Sequence, residues 1–139
     1  MKKSYKIGTW MLTNTPAGLD VISKSGFDFV CIDLEHSSIS YEDLNSLLII
    51  LDKNKVDSFV RVSSNNQTEI KKALDLGAKG IIVPMINNEA DAIKAVSYTY
   101  YPKKGKRGIG LSRAQGYGYN FKNYLKIANK IKLIFQIET

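Results

Sequence analysis

Residues 26–36 read GFDFVCIDLEH, a glycine and a nearly unbroken apolar run that leads into acidic residues and a histidine. A short apolar run without helical periodicity predicts a β-strand, here over residues 27–33. Because the run is apolar on both faces, it is typical of a parallel sheet that is covered on both sides. The polar residues that follow are therefore expected at the carboxyl end of a buried strand.

Working outward from this stretch, strand and helix patterns alternate along the chain. Apolar segments predict four further strands, at residues 5–10, 58–62, 80–85 and 133–137. Helical patterns lie between them, at residues 15–26, 40–51, 66–75, 88–97 and 121–129. Ser40 opens the second of these helices with an acid three residues later, the pattern of a capping box. A long glycine-bearing loop over residues 102–118 precedes the last helix.

Five strands separated by helices predict an α/β fold with a parallel sheet. Two architectures fit this pattern, an open doubly wound sheet and the first five βα units of an eight-stranded barrel. The pattern alone does not separate them. Without a linker or a low-complexity tract, residues 1–139 are expected to form a single domain.

The charge is uneven. The net charge is +7, but residues 1–100 carry 11 basic and 12 acidic side chains, and residues 101–139 carry 9 basic and 1 acidic. Three interpretations fit the basic section: a solvated lysine-rich face, anion binding by the loop, or nucleic-acid binding. Nucleic-acid binding is the least favoured of the three, because no nucleic-acid motif accompanies the charge.

The single cysteine, Cys31, excludes an intrachain disulfide and a zinc site built on several cysteines. Its place inside an apolar strand predicts a buried, inert thiol. No apolar run approaches the roughly 18 residues of a membrane span. The basic N-terminus lacks the apolar stretch of a secretory signal. We expect a cytoplasmic protein with no membrane partner.

Polar and aromatic side chains at the strand ends are the candidate functional residues, because the carboxyl ends of parallel strands converge on one rim. His36 beside Asp33 suits general-base chemistry, although a histidine that merely caps a helix fits equally well. Arg61 suits an oxyanion, or a structural ion pair within the sheet. The candidates at this rim are Trp10, Asp33, Glu35, His36, Arg61, Pro84, Gln136 and Glu138.

A family resemblance rests on the same segments. They are GTW at 8–10, GFDFVCIDLEH at 26–36, VRV at 60–62, LDLGA at 74–78, GIIVPM at 80–85, YP at 101–102, RG at 107–108, SRA at 112–114 and QIET at 136–139. In this order and spacing they resemble the HpcH/HpaI aldolase family, metal-dependent pyruvate aldolases related to the citrate lyase β subunit.

The resemblance implies a (β/α)8 barrel and an aldehyde-lyase that makes or breaks a carbon–carbon bond through a pyruvate enolate. Its substrates would be 2-oxo acids and aldehydes. Glu138 would bind Mg²⁺, Mn²⁺ or Co²⁺, and Arg61 would hold the developing oxyanion. His36, held by Asp33, would move a proton. Supporting roles would fall to Gln136 in the substrate or metal shell, Trp10 as pocket wall and Arg113 against an anionic acceptor group.

The family's second metal carboxylate follows a sixth strand, whereas this sequence reads only to Thr139. We therefore expect an incomplete barrel that lacks strands six to eight. A homo-oligomer or a complementing C-terminal chain would then complete it. The alternatives are an inactive remnant or accessory subunit of such an aldolase and, more weakly, an anion- or nucleic-acid-binding α/β domain.

Overall fold

A computed structural model describes residues 5–138, so the first basic residues of the chain and Thr139 lie outside it. Five strands form one sheet: β1 (Gly8–Met11), β2 (Phe29–Asp33), β3 (Asp57–Arg61), β4 (Gly80–Val83) and β5 (Lys132–Phe135). Five α-helices connect them: α1 (Pro16–Lys24), α2 (Tyr41–Lys53), α3 (Gln67–Asp75), α4 (Glu89–Thr99) and α5 (Phe121–Ala128). The predicted alternation of strand and helix is confirmed.

The sheet is parallel throughout, and its strands lie in chain order from β1 to β5. Each connection between neighbouring strands therefore carries the chain back to the start of the next strand, with one helix in the first three connections and both α4 and α5 in the last. Every strand consequently ends at the same edge of the sheet. The register sets Asp33, the last residue of β2, directly beside Arg61, the last residue of β3. The sheet thus brings together two polar residues that are 28 positions apart in sequence.

Side-chain caps fix where the helices begin. The Ser40 hydroxyl accepts from the Asp43 N–H, and the Asp43 carboxylate accepts from the Ser40 N–H, which confirms the predicted capping box. At α3 and α4 the side-chain oxygens of Asn66 and Asn88 accept hydrogen bonds from N–H groups of the first helical turn, without the reciprocal bond of a capping box.

The main core lies between the sheet and the helices, where leucines of α2 and α3 meet alternate residues of the strands. The opposite face of the sheet carries a smaller cluster of Cys31, Phe59 and Ile82 with Phe29. Phe29 and Phe59 pack edge to face with ring centroids 5.1 Å apart. That face is only partly covered, since Ile134 and Phe135 of β5 are 42% and 37% exposed. β5 is therefore not covered on both faces, in contrast to the doubly covered sheet that the apolar run at residues 27–33 predicts.

The loop over residues 102–118 contains one regular element, a 3-10 turn at Arg113–Gln115. The sequence pattern does not predict this turn. Its residues pack on α3 and α5, so much of the loop lies against the helices. Among the described residues, no helix is long and apolar enough to cross a membrane.

Candidate functional site

Arg61 lies at the centre of a polar cluster at the carboxyl ends of the strands. Its Nε donates to Asp33 Oδ1 at 2.9 Å and its Nη2 donates to Asp33 Oδ2 at 2.7 Å. The Asp33 side chain is fully buried, and the Arg61 side chain is 12% exposed. Two parallel charge-assisted hydrogen bonds leave the guanidinium little freedom to rotate. The ion-pair interpretation of Arg61 is therefore confirmed, and it leaves one edge of the guanidinium facing the rim.

Opposing effects act on the Asp33 carboxyl. Burial favours its neutral form, but the hydrogen bonds from Arg61 and from the N–H groups of Glu35 and His36 favour the carboxylate. The net result is that the pKa of Asp33 lies below its ordinary value. The hydrogen bonds from Asp33 in turn raise the pKa of Arg61, despite partial burial. The pair is thus fully ionised at neutral pH.

The other contacts of Arg61 come from three different segments. The Trp10 ring lies 4.7 Å from the guanidinium carbon, within cation–π range. Nη1 lies 3.4 Å from Gln136 Oε1 and 3.2 Å from Glu35 Oε2. The structure therefore brings together four of the candidate residues predicted from the sequence: Trp10, Asp33, Arg61 and Gln136.

Glu138 joins this cluster through Gln136. Gln136 Nε2 donates to Glu138 Oε2 at 2.5 Å, and the Met85 N–H donates to Glu138 Oε1 at 3.3 Å. The Glu138 N–H itself donates to the Asn87 side chain at 3.4 Å. The segment after β5 is thus tied to the turn after β4, and this holds the carboxylate of Glu138 at the rim.

His36 lies differently from the prediction. Its imidazole is 70% exposed, and Nε2 lies 3.8 Å from Glu35 Oε2. Asp33 contacts only the backbone N–H of His36, because its carboxylate is taken by Arg61. The prediction that Asp33 holds the imidazole is therefore wrong. Among the described residues, the carboxylate that lies within 4 Å of the imidazole is that of Glu35.

The charge of the rim favours a cation. Three carboxylates, from Asp33, Glu35 and Glu138, lie around one guanidinium, which leaves two carboxylate charges that Arg61 does not balance. Glu35 Oε2 is buried and has no hydrogen-bond partner of good geometry. In the described chain, no three His, Cys, Asp or Glu side chains are grouped to hold a metal. The oxygens at hand fit a hard divalent ion whose remaining ligands are water or substrate.

Arg113 does not belong to this rim. Its Nε donates to the Leu76 carbonyl at 2.6 Å and its Nη1 to Asp52 Oδ2 at 2.9 Å. Leu76 and Asp52 lie at the carboxyl ends of α3 and α2, where the chain turns back to the start of the next strand. Arg113 is therefore at the opposite edge of the sheet, and its predicted role against an acceptor group is wrong.

Arg107, which the sequence grouped with the loop's basic residues, has a buried structural role. Its side chain is fully buried, and Nη2 donates to Asp75 Oδ1 at 2.6 Å. The guanidinium also stacks 4.7 Å from the Tyr101 ring and contacts the Tyr124 hydroxyl. The loop is thus fastened to α3 and α5, which weakens the anion-binding interpretation for this residue.

Comparison with known proteins agrees with the family resemblance of the sequence. Residues 6–139 match the sequence profile described as HpcH/HpaI aldolase/citrate lyase. A 2-dehydro-3,6-dideoxy-6-sulfogluconate aldolase from Pseudomonas putida is 35% identical over 140 residues, 99% of this chain and 54% of that protein. A 5-keto-4-deoxy-D-glucarate aldolase from Enterobacter sp. (strain 638) is 32% identical over 139 residues, again covering 99% and 54%. The chain spans about half the length of these curated relatives.

Comparison of the fold with solved structures indicates the same family. A crystal structure of an HpcH/HpaI aldolase/citrate lyase family protein from Burkholderia cenocepacia J2315 superposes with a TM-score of 0.89 at 30% identity. The match covers 96% of this chain and 55% of that protein. The five parallel strands are accordingly part of a barrel, not an open doubly wound sheet. The chain belongs to the HpcH/HpaI aldolase/citrate lyase family.

Proposed function

We propose that this chain carries part of the active site of an aldehyde-lyase that cleaves or forms 4-hydroxy-2-oxo acids through a pyruvate enolate. The observation that carries the proposal is the guanidinium of Arg61, fixed by Asp33 beside Gln136 and Glu138 at the carboxyl rim. In a barrel this rim is where catalytic groups lie. The relatives named as sugar-acid aldolases support the same reaction class.

Arg61 would stabilise the oxyanion of the enolate. A donor that is already oriented before charge develops stabilises the transition state without reorganisation. Asp33 supplies that orientation, and Trp10 closes one side of the guanidinium. Gln136 would donate or accept at the substrate's oxygen atoms, because its amide lies between Arg61 and Glu138.

Glu138 would hold a divalent metal ion, with the Gln136 side chain beside it. Such an ion (Mg²⁺, Mn²⁺ or Co²⁺) supplies Lewis-acid polarisation of a 2-oxo acid when bound. The excess of carboxylates over the guanidinium at the rim and the carboxylate oxygens of Glu138 support this assignment. His36 would take up or release the proton of the aldol hydroxyl, since its exposed imidazole is free to meet substrate.

The proposed partners are small 2-oxo acids and aldehydes, and the proposed location is the cytoplasm. Residues 1–139 would act as one partial barrel domain. The exposed Ile134 and Phe135 of β5 support a further contribution to the sheet, from a homo-oligomer or from a segment equivalent to the rest of the relatives' length. Such a segment would also supply a second metal carboxylate.

The test is retro-aldol release of pyruvate from a 4-hydroxy-2-oxo acid with Mn²⁺ present. Loss of one preorganised oxyanion donor lowers turnover by about 10²–10³-fold, which is the decrease expected for Arg61→Ala. Lys24→Ala is the control, because Lys24 is an exposed cation on α1. Metal-dependent release of pyruvate that is equally fast in Arg61→Ala would contradict the assignment.

A second candidate function is that of a non-catalytic relative or accessory subunit. One observation favours it: the described residues provide no group of three metal-ligating side chains. Calorimetric titration with Mn²⁺ discriminates the two. Measurable affinity that Glu138→Gln abolishes supports the enzyme, and a stably folded chain without Mn²⁺ affinity supports the accessory role.

A further inference from the structure

A cavity of about 470 Å³ lies away from the rim of the proposed lyase site, between α2, α3 and the long loop. Its walls include Tyr41 and Asn45 of α2, Leu76 just after α3, and Ser112 and Tyr117 of the loop. The volume falls within the roughly 300–1,000 Å³ of pockets that bind small molecules. No residue that the proposed lyase mechanism uses lines this cavity, so it needs an explanation of its own.

Buried polar atoms without partners are concentrated around this cavity. Among the described residues, eight buried side-chain nitrogen or oxygen atoms have no hydrogen bond. Three of them belong to residues that line the cavity: Asn45 Oδ1, Ser112 Oγ and Arg113 Nη2. Ser112 precedes the 3-10 turn at the capping position, yet its hydroxyl makes no capping bond. Because buried polar groups normally have a partner, three unpaired atoms around one cavity point to a polar occupant.

Arg113 is held so that one of its nitrogens stays unused. Nε donates to the Leu76 carbonyl at 2.6 Å, and Nη1 donates to Asp52 Oδ2 at 2.9 Å. Nη2 lies over Gly77, where a Cβ would come within 2.6 Å of it. The missing side chain at Gly77 therefore makes room for a nitrogen that donates to no atom of the described chain.

The exposed aromatic wall of the cavity stands on a strained backbone. Tyr117 has φ +53°, in the left-handed region that residues with a side chain seldom adopt. Its N–H donates to the Ser112 carbonyl at 2.8 Å, which closes the turn beside the cavity. The Tyr117 side chain is nevertheless 70% exposed, so burial of the ring does not offset the strain. Backbone strain of this kind is concentrated at ligand-binding and catalytic sites.

The charges that line the cavity balance. Lys72 and Arg113 are positive, and Glu42 and Asp75 are negative. Arg113 and Asp75 are each already in an ion pair with a residue outside the cavity. An anion would approach two carboxylates and a cation would approach two basic groups, so the lining favours a ligand without net charge.

The unpaired atoms require both donors and acceptors from that ligand. Asn45 Oδ1 accepts a hydrogen bond, Arg113 Nη2 donates one, and the Ser112 hydroxyl can do either. Alcohol groups supply both functions without charge. An aromatic ring such as that of Tyr117 offers an apolar face with a polar edge, which suits the C–H face of a sugar ring.

We propose that this cavity binds a neutral sugar, a mono- or disaccharide, whose hydroxyl groups bond to Asn45, Ser112 and Arg113 while its ring packs on Tyr117. The inference goes beyond the proposed lyase function and does not depend on it, because the two sites share no residue. The sugar supplies the hydrogen bonds that the protein leaves unmade, and the exposed Tyr117 ring becomes covered.

The first experiment measures binding of D-glucose, D-galactose and maltose by saturation-transfer NMR and calorimetry. At least one of these sugars should bind, and Tyr117→Ala should weaken that binding by about 10-fold or more, since the ring contact is lost. Tyr119→Ala is the matched control, because Tyr119 is fully exposed and does not line the cavity. The proposal is overturned where none of the three sugars binds, or where the two variants bind sugar equally well. Binding of D-gluconate or L-phenylalanine in place of the neutral sugars would also contradict it.

The second experiment separates a ligand-binding hydroxyl from a structural one. Ser112→Ala removes a buried oxygen that has no partner, so the midpoint of thermal unfolding without sugar should stay the same or rise. The same variant should bind sugar about 5–10-fold more weakly, because one hydrogen bond to the ligand is lost. Unchanged sugar affinity in Ser112→Ala would overturn the proposal, whatever its effect on the midpoint.

Discussion

Arg61 and Asp33 are register partners on neighbouring strands, and their side chains meet in two hydrogen bonds of 2.9 and 2.7 Å. The sheet itself therefore builds the pair, since each residue is the last of its strand. A guanidinium held along one edge presents its other edge to the rim. The stability of the strand ends and the geometry of the proposed site thus depend on the same two side chains.

Asp33→Asn should be strongly destabilising. The substitution keeps the side-chain shape but leaves the largely buried guanidinium of Arg61 without its charged partner, which costs about 3–5 kcal/mol. Urea denaturation followed by circular dichroism measures the change. Asp20→Asn, which removes the exposed partner of Lys24 on α1, should have little effect. Equal losses in the two variants would show that burial of the Arg61 pair is energetically unimportant.

The same pair should make the chain sensitive to acid. The pKa of Asp33 is lowered in the folded state, so its contribution to stability is complete above the unfolded value of about 3.9. It is lost as the pH falls through the depressed folded value. The free energy of unfolding, measured from pH 6 down to pH 2, should therefore decline less steeply in Asp33→Asn than in the unsubstituted chain. Parallel curves over this range would contradict the prediction.

Arg107 should be important for the stability of the long loop. Arg107→Ala leaves Asp75 without its partner and opens a gap beside Tyr101, so the expected loss is about 3–5 kcal/mol. The neighbouring Lys106 is exposed and contacts the Tyr98 ring at 5.1 Å, so Lys106→Ala should cost about 0.5–1 kcal/mol. Urea denaturation of the two variants compares them directly. The prediction fails where the two midpoints shift equally.

Gly77 should tolerate no side chain. It has φ +100°, and a Cβ would lie 2.6 Å from Arg113 Nη2. Gly77→Ala therefore combines an unfavourable backbone conformation with a displaced arginine, and we expect a loss of about 1–3 kcal/mol. Gly110→Ala is the matched control, since a Cβ there meets nothing within 4 Å. Thermal unfolding of the two variants is the measurement, and equal midpoints would refute the prediction.

Cys31 should be chemically inert while the chain is folded. Burial raises its pKa to about 12, so roughly one thiol in 10⁴ is ionised at pH 8. Labelling with iodoacetamide at pH 8 should be at least about 100-fold slower in the folded chain than in urea, where the thiol has its ordinary pKa. Rapid labelling without denaturant would mean that β2 opens readily.

The parts of the fold that could be predicted are those with a local signal. Apolar runs mark the strands, and Ser40 with Asp43 marks the start of α2, because a capping box needs only adjacent residues. The choice between a barrel and an open sheet has no such signal, since it depends on curvature and on which strands finally pair. The family resemblance and the solved relatives decide it.

The candidate site likewise has a part that could be predicted from the sequence and a part that could not. Arg61 and Asp33 could be anticipated, because a charged residue in a buried strand needs a partner. That Asp33 is occupied by Arg61, and that Glu35 lies next to His36, depends on side-chain directions that the sequence does not encode locally. Arg107 could not be recognised as buried, because its partner Asp75 is 32 positions away in α3.

The two loop arginines also determine which positive charges of the chain face solvent. Arg107 pairs with Asp75 of α3 and Arg113 pairs with Asp52 of α2, so both arginines of the last 39 residues are already bound to carboxylates. The basic side chains left facing outward in that section are seven lysines, at positions 103, 104, 106, 122, 126, 130 and 132. A polyanion would therefore be attracted by hydrated ammonium groups on flexible side chains. These groups provide long-range attraction but not the planar, two-point hydrogen bonding by which a guanidinium binds a phosphate.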